Sequence, residues 1–420
     1  MQATIIAAGS RGDVQPYIAL GVGLRRAGHG VRVLATSDFH DLIRSAKLDF
    51  FDAGGSTEAV ARSMEGMLEG GNMLRILASM GPAAERMIGQ VAARGLEASQ
   101  GSNVIIAGLG ALPVGCALAE KLGIGFMPAY LYPFTPTSAF ASVLAPLPGM
   151  RLPGWANRLS HRMAQQIMWQ AFRAADTRAR RQVLDLPSAS FWGPYAGLER
   201  GEQPTLCGYS PHVIPVPDDW APSIHVTGYW FLDPSEDWRP PPDLLDFLNA
   251  GPPPVYIGFG SMVNRRPDEV AALVSQALQQ CGLRAVWSSG WGGLSGIQLR
   301  EDMFMTGSIP HAWLFPRMAA VVHHAGVGTT AAGLRAGVPS IAIPYFGDQP
   351  FWGQRIAALG VGPQPIPRSR LTVDGLARAL QLATSDAAMQ QRAARLGEAI
   401  RGEDGIGNAV RVIEDFLARG

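Results

Sequence analysis

Four short segments of this 420-residue chain hold residue types that can do chemistry. The first is Gly9-Ser10-Arg11-Gly12-Asp13-Val14-Gln15-Pro16, directly after the apolar run Thr4–Ala8. Its glycines are spaced G-x-x-G, the third glycine of a dinucleotide fingerprint is missing, and Asp13 stands at the start of the next helix. An acid there repels a pyrophosphate, so the loop suits a general base better than a phosphate cradle. Helix capping by Asp13 is the competing reading. The second segment, His323-His324-Ala325-Gly326-Val327-Gly328-Thr329-Thr330, has the opposite character. Two glycines let a ligand approach the backbone, two threonines add hydroxyls, and no acid intrudes. It reads as a diphosphate cradle with His324 as a donor; a plain turn, with His323 as a core histidine, is the alternative. The third, Phe346-Gly347-Asp348-Gln349-Pro350-Phe351-Trp352, offers Asp348 and Gln349 to sugar hydroxyls, or Asp348 as a cap. The fourth, Gly258-Phe259-Gly260-Ser261-Met262, is a small donor-rich turn. No HExxH and no Asp-x-Asp at a strand end occurs, so no metal is expected. Asp218-Asp219 lies in a Pro-rich stretch and reads as a loop.

The elements around these segments alternate. Val31–Ala35, Val104–Ala107 and Gly125–Met127 read as strands, with helices starting near Pro16 and over Phe39–Ala46 and Pro113–Leu122. Their unbroken apolar runs imply strands covered on both faces, as in a parallel sheet wrapped by helices. Thr57–Met87, rich in Met and Gly, and Tyr130–Trp155, rich in Pro and aromatics, interrupt the rhythm and read as insertions, followed by a long helix over Ser160–Leu186. Residues 233–254 are polar and Pro-rich and read as an interdomain linker. The alternation then restarts with strands at Val255–Phe259, Arg284–Ser288, Met303–Thr306, Ala319–His323 and Ser340–Pro344. The expected domains are 1–232, 255–400 and a C-terminal helix at 401–420 that crosses back to the first. In such sheets ligands sit beyond the carboxyl ends of the strands, which places the site in a cleft between two facing domains.

Composition narrows the function classes. Hydrophobic residues make up 47 % and charged residues 16 %, enough for a core in each half. A net charge of +1, with scattered Arg, gives no electrostatic case for nucleic acid or an acidic membrane surface. Cys116, Cys207 and Cys281 are widely spaced, which favours free thiols over a disulfide framework or zinc site. The N-terminus lacks a basic leader, and no apolar run approaches the roughly 20 residues of a membrane span. A cytoplasmic protein is expected; oligomeric state is not readable.

Together the four segments resemble glycosyltransferases of the GT-B fold, two Rossmann-like doubly wound domains facing across a cleft. The nearest likeness is to family 1 UDP-glycosyltransferases of the sterol and lipid glucosyltransferase branch. The residue 9–16 loop is similar to that branch's opening motif. Ser308-Ile309-Pro310-His311-Ala312-Trp313-Leu314-Phe315-Pro316, followed by Val321–Thr330, Ala331–Pro339 and Gly347–Gly353, resembles its donor-binding signature, and Gly228-Tyr229-Trp230-Phe231 the end of its N-terminal domain. The resemblance implies Asp13 as the base and Ser261, His324, Gly326, Gly328 and Thr329 as diphosphate ligands. It implies Asp348 and Gln349 at the sugar, and Ile309, His311 and Trp291 at the nucleotide. Ser10, Tyr132, Phe134 and Phe140 fall where the acceptor would lie, ordinary core being the alternative for the aromatics. Two departures stand out: the first loop lacks the His of plant members, and Ile105-Ile106-Ala107-Gly108 has no acid to orient one. The implied activity is inverting, metal-independent transfer of a hexose, glucose being expected, from a UDP-sugar to a hydroxyl of a lipophilic small molecule such as a sterol, polyketide or flavonoid. A sugar-nucleotide epimerase or hydrolase of the same fold, and a non-catalytic nucleotide-sugar-binding protein, are the alternatives.

Overall fold

The computed structural model describes residues 1–57, 81–144, 152–198, 203–235, 237–260, 262, 267–288 and 300–418. The chain forms two compact units; among the described residues the first comprises 1–57, 81–232 and 403–418, and the second 233–402.

The first unit carries strands β1 (Gln2–Ile6), β2 (Gly30–Ala35), β3 (Asp49–Asp52), β4 (Val104–Ala107), β5 (Gly125–Tyr130), β6 (Thr205–Cys207) and β7 (Ile224–Val226). They form one parallel sheet in the order β3-β2-β1-β4-β5-β6-β7, with Ala3 level with Val31 on one side and Val104 on the other. Its helices are α1 (Arg11–Arg26), α2 (His40–Ser45), α3 (Gly81–Ala98), α4 (Leu112–Leu122), α5 (Gly154–Gln182) and α6 (Tyr195–Leu198). Every residue of β4 is buried, as its unbroken apolar run predicts for a strand covered on both faces.

In the second unit α7 (Pro242–Asn249) precedes β8 (Val255–Gly258), α8 (Pro267–Cys281), β9 (Ala285–Ser288), β10 (Met303–Thr306), α9 (His311–Leu314), β11 (Ala320–His323), α10 (Val327–Ala336), β12 (Ser340–Ala342), α11 (Gln349–Ala358), α12 (Val373–Ser385) and α13 (Ala387–Arg401). The strands are again parallel, in the order β10-β9-β8-β11-β12. The chain then enters α14 (Gly405–Leu417), which packs on α1 in the first unit. Gly23 makes that packing possible, because a Cβ there would collide with Ile406.

Two segments differ from the sequence expectation. The long helix starts at Gly154 rather than Ser160, so Trp155 belongs to it and not to an irregular insertion. Residues 233–254 are not free linker: Leu244 of α7 is fully buried among Tyr256, Val286 and Phe315, inside the second unit's own core.

Candidate functional site

In each unit the chemically equipped loops leave the sheet where strand order reverses. That point lies between β1 and β4 in the first unit and between β8 and β11 in the second.

In the first unit, β1 leads into Gly9, whose φ of +125° turns the chain back over the start of α1. A Cβ on Gly9 would come 2.6 Å from Asp13 Oδ2, so only glycine fits. Ser10 is the N-cap, and Asp13 occupies the third helical position. Asp13 Oδ2 accepts hydrogen bonds from the Ser10 amide and hydroxyl, both at 2.8 Å. Asp13 therefore braces the helix start from inside it, as a capping-box acid does, while Ser10 caps. Burial pushes the Asp13 carboxyl above its ordinary range, and the two Ser10 hydrogen bonds only partly offset this. Tyr17, one turn on, donates to Ala129 O at 2.7 Å and meets the Trp230 ring edge-on at 6.0 Å. Trp230 lies against Gly208, where a Cβ would come 2.9 Å from the indole, and its Nε1 donates to Thr227 Oγ1 at 3.0 Å. The Gly228–Phe231 motif thus supports the floor on which the Asp13 loop stands.

In the second unit, β11 delivers His323 and His324. Ala325 takes a left-handed φ of +62°, and Gly326 caps α10. The His324 ring fits between two glycines: a Cβ on Gly326 would collide with it, and one on Gly260, itself at φ +59°, would come 2.8 Å from Cε1. Burial lowers His324 to about 4, which leaves it neutral, able to donate from one ring nitrogen but carrying no charge. His323, lowered to about 3 by burial and by the neighbouring His324 and His311, accepts from the Ala325 amide at 3.0 Å through Nδ1. His324 Nδ1 and Thr330 Oγ1 are buried without a hydrogen-bond partner among the described residues. Unsatisfied buried polar atoms beside a helix N-terminus are what an absent polar ligand leaves behind. Gly328 and Thr329 form the first turn of α10.

The remaining candidates divide. His311 stacks on Phe315 with centroids 4.2 Å apart, its Nε2 3.5 Å from Tyr256 Oη, and Ile309 packs on the same cluster. Asp348 is the N-cap of α11, and its Oδ2 accepts from Trp352 Nε1 at 2.9 Å. Gln349 faces inward: Oε1 accepts from the Tyr345 amide at 2.8 Å and Nε2 approaches Met262 Sδ at 3.4 Å. Phe134 is packed between Tyr130 and Tyr195, each at 5.4 Å, which is a core position. Phe140 lies against His161, and Tyr132 is half-buried. Ser261 and Trp291 lie outside the described residues.

Asp219 has a structural part that its loop-like sequence setting does not disclose. It receives Thr137 Oγ1 at 2.6 Å, the Ser138 amide at 2.7 Å and Arg158 Nη2 at 2.7 Å, clasping the 131–144 loop to the start of α5. Burial pushes its carboxyl up slightly, but these donors hold it well below the usual carboxylate range.

Residues 3–141 match the glycosyltransferase family 28 N-terminal domain, and residues 297–404 the erythromycin biosynthesis protein CIII-like C-terminal domain. A sterol 3-beta-glucosyltransferase of Arabidopsis thaliana is 33 % identical across 99 % of this chain and 68 % of its own length. The chain belongs to the GT-B glycosyltransferase family that includes the sterol 3-beta-glucosyltransferases. A second Arabidopsis thaliana member is 35 % identical, with 99 % of this chain and 66 % of that protein aligned. A Cryptococcus neoformans member is 36 % identical over 98 % of this chain but only 27 % of its own length. The chain thus spans about two thirds of the plant relatives and about a quarter of the fungal one. Among solved structures, the kitacinnamycin glycotransferase superposes with a TM-score of 0.73 at 18 % identity, over 99 % of both chains. A Streptomyces glycosyltransferase complexed with thymidine diphosphate gives 0.65 at 19 % identity, over 99 % of both. These structural likenesses carry the fold, two parallel-sheet α/β domains.

Proposed function

We propose that this family member is an inverting glycosyltransferase that moves a hexose from a UDP-sugar to a hydroxyl of a lipophilic small molecule, with Asp13 as general base. The observation that carries the reading is the contrast between the two loops. The first unit presents a carboxylate whose proton affinity burial has raised toward that of a useful base. The second presents a helix N-terminus free of acid, with His324 Nδ1 and Thr330 Oγ1 buried and unpartnered.

In the proposed reaction Asp13 takes the acceptor proton as the oxygen attacks the anomeric carbon. Ser10 holds the carboxylate in place through both of its donors. The departing diphosphate gains the α10 amides, the Thr329 hydroxyl and a hydrogen bond from His324. An arriving dianion would also raise the affinity of His324 for a proton, against the burial that keeps it neutral without ligand. Asp348 and Gln349 would meet the sugar; Gln349 would have to give up its present bond to the Tyr345 amide. Ile309 and His311 would receive the nucleotide, and the half-buried Tyr132 and Phe140 would line the acceptor side.

The test is a crossed screen of nucleotide sugars against lipophilic alcohols read by mass, with Asp13→Asn alongside. Transfer by the parent and none by the variant, with equal UDP binding, supports the proposal. Release of UDP without any acceptor would indicate a hydrolase, and binding without turnover a silent binder; wild-type turnover by Asp13→Asn removes Asp13 from the mechanism.

A further inference from the structure

Eight large hydrophobic side chains are exposed among the described residues, and six of them share one surface. Trp155, Leu159, Met163 and Ile167 recur every four residues along the first half of α5, so they form one stripe on its outer side. Phe191 and Trp192 lie beside it. The Phe191 carbonyl accepts from Trp169 Nε1 at 3.0 Å, and from Gln166 and Gln170, which fixes that turn along the helix. Exposure reaches 72 % at Trp155 and 65 % at Trp192, well beyond scattered apolar residues at the edge of a core.

The charge on the same helix is one-sided. It contains six Arg and one acid, and that acid, Asp176, is buried. The helix thus carries +5 in a chain whose total is +1. Setting Asp219 against Arg158 and Glu120 against Arg180, which they contact at 2.7 Å, still leaves a surplus of three. Arg173, Arg178 and Arg181 line one groove on the second half of the helix, and the Arg173 guanidinium stands 5.1 Å from the Phe191 ring centroid. The net charge that argues against an acidic surface is an average that conceals this face.

We propose that the outer face of α5, with the Phe191-Trp192 turn, docks on an anionic lipid bilayer. An apolar stripe with tryptophan at its end, continued by arginines, suits a helix lying in the plane of the headgroups. Among the described residues no helix is long and apolar enough to cross a membrane, so the contact is superficial. A two-fold contact between copies would set the arginine surplus against itself, which disfavours a second copy as the occupant. The inference rests on this surface alone and goes beyond the sugar-transfer reading, which can fail without it.

Flotation with phosphatidylcholine vesicles, with and without phosphatidylglycerol, is the test. The protein should partition onto the anionic vesicles roughly tenfold more strongly, and raised salt should remove the difference. Arg173→Gln/Arg178→Gln/Arg181→Gln should lose roughly tenfold or more of that binding. Trp155→Ser/Met163→Ser should weaken binding to both vesicles. All five positions lie at or near the surface, and circular dichroism checks that the variants fold. An independent measurement on otherwise intact protein is quenching of tryptophan emission by brominated lipid, which Trp155→Phe/Trp192→Phe should abolish. Protein that stays with the solvent in the presence of anionic vesicles overturns the proposal, as does vesicle binding equal in all variants. A dimer by sedimentation that Met163→Asp dissociates, with no vesicle binding, assigns the face to a second copy instead. Transfer to a water-soluble acceptor, if the crossed screen finds one, should be the same in these variants as in the parent, so the two proposals fail separately.

Discussion

The buried His323–His324 pair should make the second unit acid-labile well above the pH at which carboxylates titrate. The folded values are about 3 for His323 and about 4 for His324, against 6.5 for the model group. Between those limits the unfolded chain binds protons that the folded unit refuses. Stability therefore rises with pH through this window; it is complete above about 6.5 and falls as the solution is acidified. From pH 6.5 to pH 5 each histidine loses about 1.5 units, or about 2 kcal/mol, and the pair about 4 kcal/mol. That is a large fraction of the 5–15 kcal/mol typical of a folded domain. Urea unfolding at pH 7 and pH 5 measures the loss, with Trp287 and Trp352, both fully buried in the second unit, among the fluorophores. His323→Gln isolates the cause. Glutamine can still accept from the Ala325 amide but does not titrate, so the variant should lose about 2 kcal/mol less than the parent over the same interval. Equal losses in parent and variant would refute the reasoning, since every other titrating group is common to both.

Asp13→Asn should lower kcat by roughly 10²–10⁴ while leaving UDP affinity within twofold by calorimetry. In the parent, the acid limb of kcat/KM should lie above about pH 3.9, because burial raises Asp13 and the base works only when ionised. Gly260→Ala should cost about 1–2 kcal/mol from its left-handed φ and also weaken UDP binding by displacing His324. Gly282→Ala, at a similar φ of +62° with open space around it, should show the strain alone in thermal melts. Asp219→Ala should destabilise the first unit by about 1 kcal/mol, a figure kept small because solvent reaches the carboxylate and screens it. Asp219 is depressed in the folded state, so that contribution exists above about pH 3.9 and fades as pH falls further; melts at neutral and low pH should converge.

Much of the scaffold could be read before the structure was known, for a physical reason. A strand covered on both faces must be apolar at every position, and Val104–Ala107 and Met303–Thr306 emerge with the boundaries their apolar runs suggest. Helix α5 was harder to delimit. Trp155 and Leu159 put apolar residues on its solvent side, which hides the ordinary two-faced period, and Pro153-Gly154 looks like a turn although Pro153 is its N-cap. Side-chain direction was the least legible property. Nothing in Phe346–Trp352 says that Gln349 turns inward, because its partner is a backbone amide four residues back. Nothing local to Asp219 announces its bonds to Thr137 and Ser138, some 80 residues away in sequence.

The two switch-point loops start from the same local design and end with opposite electrostatics. Each places the N-terminus of a helix beyond a parallel strand, where exposed amides favour negative charge. In the first unit the chain supplies that charge itself: Asp13 sits in the opening turn and takes the Ser10 amide and hydroxyl. A ligand phosphate there would meet a like charge. In the second unit no acid stands in the opening turn of α10, and His324 and Thr330 hold unpartnered polar atoms beside it. One helix start is thus filled by an internal anion and the other left for an external one. The division of labour between a base and a leaving-group cradle follows from that difference at two positions, not from any difference in fold. Burial works in the same direction on both. It raises the proton affinity of Asp13, which a base requires, and keeps His324 uncharged until an anion arrives to reverse the balance.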